Sequence, residues 1–429
     1  MGIAFPLLLI FFTCLLIWRA CDGFEVASEY IGRNLSEGVR GGTINAISSS
    51  LPELFTTLIA LFLLSDANGF SVGIGTTAGS ALFNGMIIPA ACIFTVCGSM
   101  VLGVKVTSVN VSTKVLLRDG LSLIFCEAIL IFLISGNALH WWQGAVLIAL
   151  YVAYFSFMIL SMKKNETATG DDGAEDDSED PEDEAPGTIG KMFYWLSGGP
   201  LMNLEQFFVK EHHKEQIRHE KWNGWPLLLT STAVIAASCW MLVVACEWLG
   251  SGAGNEAHQS YSLFGYEFTG FGWPTMFVAV IFASMATSVP DTVMSIRDAR
   301  DGDYDDAVAN ALGSNIFDIC FALGFPLLLF TLLNGPIKLD PEVARQSAEL
   351  RFLLLCLTVL GFSVYYIGSK KKNEAGIQYV EMRRGKAVVL TLLYLFFVGY
   401  VLGLSEDAGW AIQISDGIQS LLARIPKVG

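Results

Sequence analysis

Charge is scarce in this chain. Only 16% of its 429 residues are Asp, Glu, Lys or Arg, where a soluble domain carries about a quarter. Basic patches are missing as well, which excludes a nucleic-acid surface. Nine cysteines are present, at 14, 21, 92, 97, 126, 239, 246, 320 and 356. None shows metal-ligand spacing and all fall in or beside apolar stretches, so they read as buried free thiols acting as small hydrophobes. There is no nucleophile–base pair and no metal-hydrolase spacing, so an enzyme is not expected. No cofactor motif is present. Long polar stretches are also rare: one segment, 162–225, is hydrophilic throughout.

What fills the chain instead is apolar. The hydrophobic share is 53% and the mean hydropathy is +0.52. Repeated apolar runs of about 20 residues signal membrane-spanning helices. Ten are expected, at 4–31, 38–64, 69–100, 113–136, 140–161, 226–249, 272–298, 303–334, 348–368 and 386–404. The first lacks the basic n-region and the small-residue cleavage site of a signal peptide, so it reads as a retained, tilted helix.

The hydrophilic segment divides the chain into 1–161, a first transmembrane half; 162–225, an acidic cytoplasmic loop; and 226–429, a second transmembrane half. Five spans per half would make the second half enter the membrane from the opposite side, as in an inverted repeat. With the N-terminus outside, the inward segments hold 20 of the 26 Lys and Arg residues, the outward segments hold 5, and Arg19 lies in the first span. That bias fits the positive-inside rule. The expected fold class is therefore an all-α integral membrane protein of ten helices in two inverted five-helix repeats, in the cell membrane.

The net charge of −15 is concentrated: residues 171–184 hold ten acids in fourteen positions. The run lacks the glycine and terminal Glu of an EF-hand and reads as a solvated linker. Residues 202–221 read as an amphipathic helix on the inner membrane face, with His212, His213 and His219 on its polar side.

Two segments match each other. Ser49-Ser50-Leu51-Pro52-Glu53 is followed by Gly79-Ser80-Ala81-Leu82-Phe83-Asn84. Thr287-Ser288-Val289-Pro290-Asp291 is followed by Gly313-Ser314-Asn315-Ile316-Phe317-Asp318. A proline inside a helix withholds one N–H from the carbonyl four residues back, here Ser48 and Ala286. Bare carbonyls at membrane depth are tolerated only against protein or a water-filled cavity. Hydroxyls at Ser49, Ser50, Thr287 and Ser288 add neutral oxygens, and Glu53 and Asp291 add carboxylates. Oxygen-only sites of this kind suit Na⁺, K⁺ and Ca²⁺. Ser80 with Asn84, and Ser314 with Asp318, lie one turn apart on single helix faces. Gly79 and Gly313 are placed to let helices approach closely. Intramembrane carboxylates are costly and usually functional. Asp22 and Glu247, near helix ends, form a weaker echo between the halves. Glu127 has no repeat partner at the matching place and reads as structural or off the transport pathway.

These segments resemble the α-repeats of the cation/calcium exchanger superfamily, and more closely those of potassium-dependent sodium/calcium exchangers. The resemblance is carried by Cys21-Asp22 with Phe24, by the two matched segments, by Leu117-Arg118-Asp119, by Trp141-Trp142 and by Leu150 to Tyr154. It implies that Glu53 and Asp291 ligate Ca²⁺ with Na⁺ competing at overlapping sites, and that Asp318 helps to bind K⁺. Where the family usually has Ala-Gly before the hydroxyl pair, this chain has Ile47-Ser48 and Met285-Ala286. The full candidate ligand set is Glu53, Asp291, Asp318, Asn84, Ser49, Ser50, Thr287, Ser288, Ser80 and Ser314. The expected partners are Ca²⁺, Na⁺ and K⁺ as transported ions, and the lipid bilayer. Three carboxylates total −3, which one Ca²⁺ plus one K⁺ neutralises, as do three Na⁺. H⁺-coupled exchange of Ca²⁺ or another divalent ion on the same scaffold stays open, as does a non-transporting cation sensor.

Overall fold

The structure, a computed structural model, describes residues 2–31, 46–64, 66–101, 103–169, 192, 194–209, 222–253, 259–368, 370–372 and 376–424. The acidic run 171–184, residues 38–45 of the second expected span and the three histidines of 202–221 lie outside the described residues. The described part of 202–221 begins at the end of a 3₁₀ turn, Gly199–Met202, and continues as a five-residue helix, Leu204–Phe208.

The apolar runs form α1 (Ala4–Ile31), α2 (Ala46–Leu64), α3 (Asp66–Val96), α4 (Thr113–Leu133), α5 (Trp141–Thr169) and α6 (Trp225–Gly250). They are followed by α7 (Thr275–Thr287), α8 (Val289–Asp301), α9 (Tyr304–Asn334), α10 (Pro341–Tyr366), α11 (Arg384–Ser405) and α12 (Gly409–Leu422). Among the described residues, eight helices are long and apolar enough to cross a membrane. Nine spans result if α7 and α8, bent by 42° at their junction, make one. At about 1.5 Å per residue, the 21-residue α4 would reach across about 30 Å of hydrocarbon. Its Arg118, Asp119 and Glu127 lie so far inside the helix that no 18-residue stretch of it avoids them, which sets it apart from those eight.

Helix α3 is the axle of the bundle, packing on α2, α7, α8, α9, α10 and α11. Between helices in lipid, contact comes from close backbone approach rather than from expelled water. Glycines on α3 supply it. A Cβ at Gly75 would stand 2.6 Å from the Met276 carbonyl oxygen, and one at Gly79 would stand 2.2 Å from that of Val280. Gly313 makes no such approach: its nearest neighbour is the Tyr154 hydroxyl at 3.8 Å. The expectation of a tight glycine contact therefore holds at Gly79 and fails at Gly313.

The apolar interior falls into two clusters. One surrounds α3 and joins α4, α9, α10 and α11. The other lies between α1 and α6 and reaches α2 and α7. Of the nine thiols, all free, seven are buried, Cys14 is half-buried and Cys356 is exposed, so the buried reading fails at Cys356.

Short antiparallel strands tie the connections together. Val109–Ser112 pairs with Gln378–Met382, Val109 facing Met382 and Ser112 facing Tyr379. Ala138–Leu139 pairs with Ile337–Lys338. The connection after α6 carries a hairpin, Tyr261–Leu263 with Tyr266–Phe268, whose Tyr261 hydroxyl donates to the Gly2 carbonyl at 2.6 Å.

Candidate cation site

The two proline motifs meet at the centre of the bundle, but they are not equally broken. Helix α2 runs through Pro52 without interruption. The second motif is divided: α7 ends at Thr287, Ser288 leaves the helical conformation at φ −82°, ψ 1°, and α8 restarts with Pro290 near its N-terminus. Both prolines withhold an N–H, but only the second interrupts its helix. Two five-residue π segments, Ala279–Ala283 in α7 and Asp318–Ala322 in α9, flank this half of the site. Wider turns of this kind recur at functional positions because they shift side chains off the α-helical register.

All ten candidate residues are brought together. Every one is fully buried, with 0% exposure. Ser80 Oγ lies 3.1 Å from Glu53 Oε1, 3.0 Å from Asp318 Oδ2 and 2.9 Å from Ser288 Oγ. Ser314 Oγ lies 2.9 Å and 3.1 Å from the two carboxylate oxygens of Asp291, and 2.5 Å from Ser50 Oγ. The Asn84 amide donates to Asp291 Oδ2 at 2.9 Å and to Ser80 Oγ at 3.3 Å. Thr287 reaches Glu53, Ser49 reaches Asp291 and Ser50 reaches Asp318.

The contacts are reciprocal. Ser80 bonds the carboxylate of its own half and the Ser288 hydroxyl of the other half. Its counterpart Ser314 bonds the carboxylate of its own half and the Ser50 hydroxyl of the other. Ser49 and Thr287, equivalent in the two motifs, each cross to the opposite carboxylate. Exchanging the halves thus maps these contacts onto one another; the exception is the equivalent pair Asn84 and Asp318, since Asn84 donates to Asp291 and Ser80 whereas Asp318 accepts from Ser80 and Ser50.

The electrostatics are one-sided. Among the described residues no Lys, Arg or His pairs with Glu53, Asp291 or Asp318; the ion pairs lie elsewhere, at Asp22, Asp119, Glu342 and Glu381. Three oxygens of the network, Glu53 Oε2, Asn84 Oδ1 and Asp318 Oδ1, are buried without a partner. Each such atom costs about 1–3 kcal/mol if it stays unsatisfied, and more if charged. Buried oxygens without donors, in a site without a positive side chain, suit a desolvated cation. Among the described residues no three His, Cys, Asp or Glu side chains group closely enough to hold a metal ion by themselves. Serine hydroxyls stand between the acids, so a cation here would take neutral as well as charged oxygens, as Na⁺, K⁺ and Ca²⁺ do.

Two neighbours escaped the sequence reading. Asn315 is fully buried and its amide donates to the Ala81 carbonyl at 2.9 Å. Ala81 is its own counterpart in the first motif. Asn315 stood inside the matched segment, but it lies off the face shared by Ser314 and Asp318. Cys239 of α6 lies 3.5 Å from the Pro52 carbonyl oxygen; no sequence pattern marks that contact. The weaker pair is peripheral. Asp22 is half-buried and stands 3.9 Å from Arg19, and Glu247 is half-buried near the end of α6.

The chain is similar to known proteins over most of its length. The family model described as sodium/calcium exchanger protein matches residues 5–160 and 230–403, which include both motif pairs. The human protein named sodium/potassium/calcium exchanger 5 is 25% identical over 446 aligned positions, covering 93% of this chain and 85% of that protein. Over a shorter stretch, 32% of this chain and 20% of the relative, the rat sodium/potassium/calcium exchanger 3 is 38% identical. Among solved structures, an H⁺/Ca²⁺ exchanger superposes with a TM-score of 0.54 at 12% identity, covering 97% of this chain and 92% of that one; at that identity the likeness is one of fold.

Proposed function

The chain belongs to the sodium/calcium exchanger protein family, and from that premise we propose that it is a secondary antiporter that moves Ca²⁺, together with K⁺, against Na⁺. The observation that carries the reading is the buried network itself: three carboxylates without a basic partner, bridged by hydroxyls, with three oxygens left bare. Glu53 and Asp291 are the Ca²⁺ ligands in this reading, with Ser49, Ser50, Thr287 and Ser288 supplying neutral oxygens. Asp318 helps to hold K⁺, and Ser80, Ser314 and Asn84 complete the oxygen set that the ions share. Na⁺ competes for the same oxygens. The names of the two relatives support K⁺ as cargo.

The reading takes the chain as ten spans in two inverted halves, with α4 one span and α7–α8 another. Two features support it. The site contacts interchange when the halves are exchanged. Each strand pair between distant connections also joins two segments that this topology puts on one side: 109–112 with 378–382 inside, and 138–139 with 337–338 outside. Transport is by alternating access, one part of the bundle moving against another around a fixed site. The bend at Ser288, beside the ligand Asp291, is where the second half can flex. No bond is made or broken.

The absence of a basic partner also suits protons, since a carboxylate near other carboxylates can take up H⁺. H⁺-coupled Ca²⁺ exchange is therefore the second reading. Purified protein in vesicles separates the two. Radiolabelled Ca²⁺ uptake driven by an outward Na⁺ gradient, and increased by K⁺ on the Ca²⁺ side, is the expected result. Uptake driven by a pH gradient and indifferent to Na⁺ would replace the first reading with the second. Glu53→Gln is expected to abolish uptake, and retained flux would remove Glu53 from the ligands.

A further inference from the structure

Glu127 lies in the middle of α4 and takes no part in the network around Glu53. It is 1% exposed. Its Oε1 accepts from the Thr358 hydroxyl of α10 at 2.8 Å, and its Oε2 has no partner. The titratable groups that face it are thiols: Cys126 on its own helix, Cys320 from the π segment of α9 and Cys356 of α10. Arg351, two turns from Thr358 on α10, gives its guanidinium to the carbonyls of Ser347 at 2.9 Å and Ile134 at 2.6 Å. The bidentate Arg118–Asp119 pair, which Tyr154 of α5 joins, lies about 12 Å away along the helix axis. The charges of the paired strands, Glu381 with Lys371 and Arg383, lie beyond that end of α4. A carboxylate with one hydroxyl donor and no cation is the costly form at this depth. The carboxylic acid is the form these neighbours accommodate.

Beside the Glu127–Thr358 bond lies a cavity of about 20 Å³, walled by Leu123 of α4, Thr358 and Gly361 of α10, Ala81 and Gly85 of α3, and Asn315 of α9. Its remaining walls, among them Leu82, Met86, Leu312 and Phe362, are apolar, so it is a gap in the packing rather than a hydrated site. Asn315 Oδ1, buried and without a partner, belongs to the same wall. Thr358 thus touches Glu127 on one side and the cavity on the other, while Asn315 stands between Ser314 and Asp318 in sequence. Cys320, which faces Glu127, is two residues from Asp318.

We propose that Glu127 is a proton-binding site apart from the cation ligands, linked to them through the π segment of α9, which carries both Cys320 and Asp318. The inference rests on the cation site described above. Loss of the proton places a negative charge next to the π segment that bears Asp318, which raises the attraction for cations. Reciprocity requires the converse, so cation binding expels the proton. Raising the pH therefore strengthens cation binding, by at most roughly tenfold per pH unit for one linked proton.

The test uses the full-length protein in weakly buffered detergent solution, with Ca²⁺ alone as the probe and a pH dye as the readout. Ca²⁺ binding is followed in parallel over a range of pH. The wild type is expected to release protons as Ca²⁺ binds. Glu127→Gln is expected to bind Ca²⁺, release up to one proton fewer per molecule, and show a flatter pH dependence of affinity. Equal release and an unchanged pH profile in the variant would overturn the proposal while leaving the cation site standing. Failure of both proteins to bind Ca²⁺ would overturn the cation site and this linkage with it. Thr358→Val carries the test if Glu127→Gln does not fold. It keeps the carboxyl but removes its donor, so it should displace the pH midpoint, and an unmoved midpoint would count against the linkage.

Discussion

The Asn84 amide donates to Asp291 Oδ2 at 2.9 Å, joining residues 207 positions apart in the chain. One nitrogen thus steadies a carboxylate of the opposite half, while the Oδ1 of the same amide is buried without a partner. Asn84 is therefore both an orienting donor and a free acceptor in the site. Asn84→Ala should raise the Ca²⁺ concentration for half-maximal uptake by about tenfold or more, since a hydrogen bond to a charged group contributes about 1.5–3 kcal/mol. Unchanged Ca²⁺ dependence in vesicles would remove Asn84 from the ligand set.

Asp318 occupies the place that Asn84 holds in the other half, so the site carries one carboxylate more on that side. Asp318→Asn would make the two halves alike and reduce the charge from −3 to −2, which one Ca²⁺ balances alone. Na⁺-driven Ca²⁺ uptake should persist and lose its dependence on K⁺. Transport measured with and without K⁺ on the Ca²⁺ side decides this. Full K⁺ dependence in the variant would show that K⁺ is bound elsewhere.

Gly79 is where α3 and α7 come closest beside the site. A Cβ there would stand 2.2 Å from the Val280 carbonyl oxygen and 2.6 Å from Ser284 Oγ. The serine hydroxyl can rotate away, but Ser284 Cβ, at 2.7 Å, and the carbonyl move only with the helix. Gly79→Ala should lower the melting temperature of the purified protein, by overpacking of about 1–3 kcal/mol, and impair transport. Gly313→Ala meets only the Tyr154 hydroxyl at 3.8 Å and should be far milder. Equal effects would mean that the close helix contact has no special weight.

The sequence made the candidate ligands legible because they repeat. Two prolines in apolar runs, each next to a carboxylate, stand out against a background with few charges. The four-residue spacing of Ser80 to Asn84 and of Ser314 to Asp318 fixes a common face in any helix. The bend at Ser288 was not legible, because Pro52 and Pro290 have the same local chemistry and only the helices packed around each decide which chain breaks. The π segments have no sequence signature. Asn315 acts across a helix pair, so its role depends on which helix lies opposite. Helix α12 was missed for another reason: it is too short and polar to read as a span. Its Ser415 and Gln419 donate to the buried Glu349 of α10 at 2.7 Å and 2.8 Å, so it completes the packing of α10 and α11.

The paired strands act as a brace between the halves. They clamp the connections around α4, α5, α9, α10 and α11, whereas among the described residues no strand joins α1 to α6 or ties either of them to that group. In the proposed transport cycle the braced helices would hold together as one unit, with α1 and α6 outside the brace. Cysteines placed at Val109 and Met382, which face each other in the ladder, should therefore crosslink without stopping Ca²⁺ uptake. Arrest of uptake by that crosslink would mean that the brace itself has to open during the cycle.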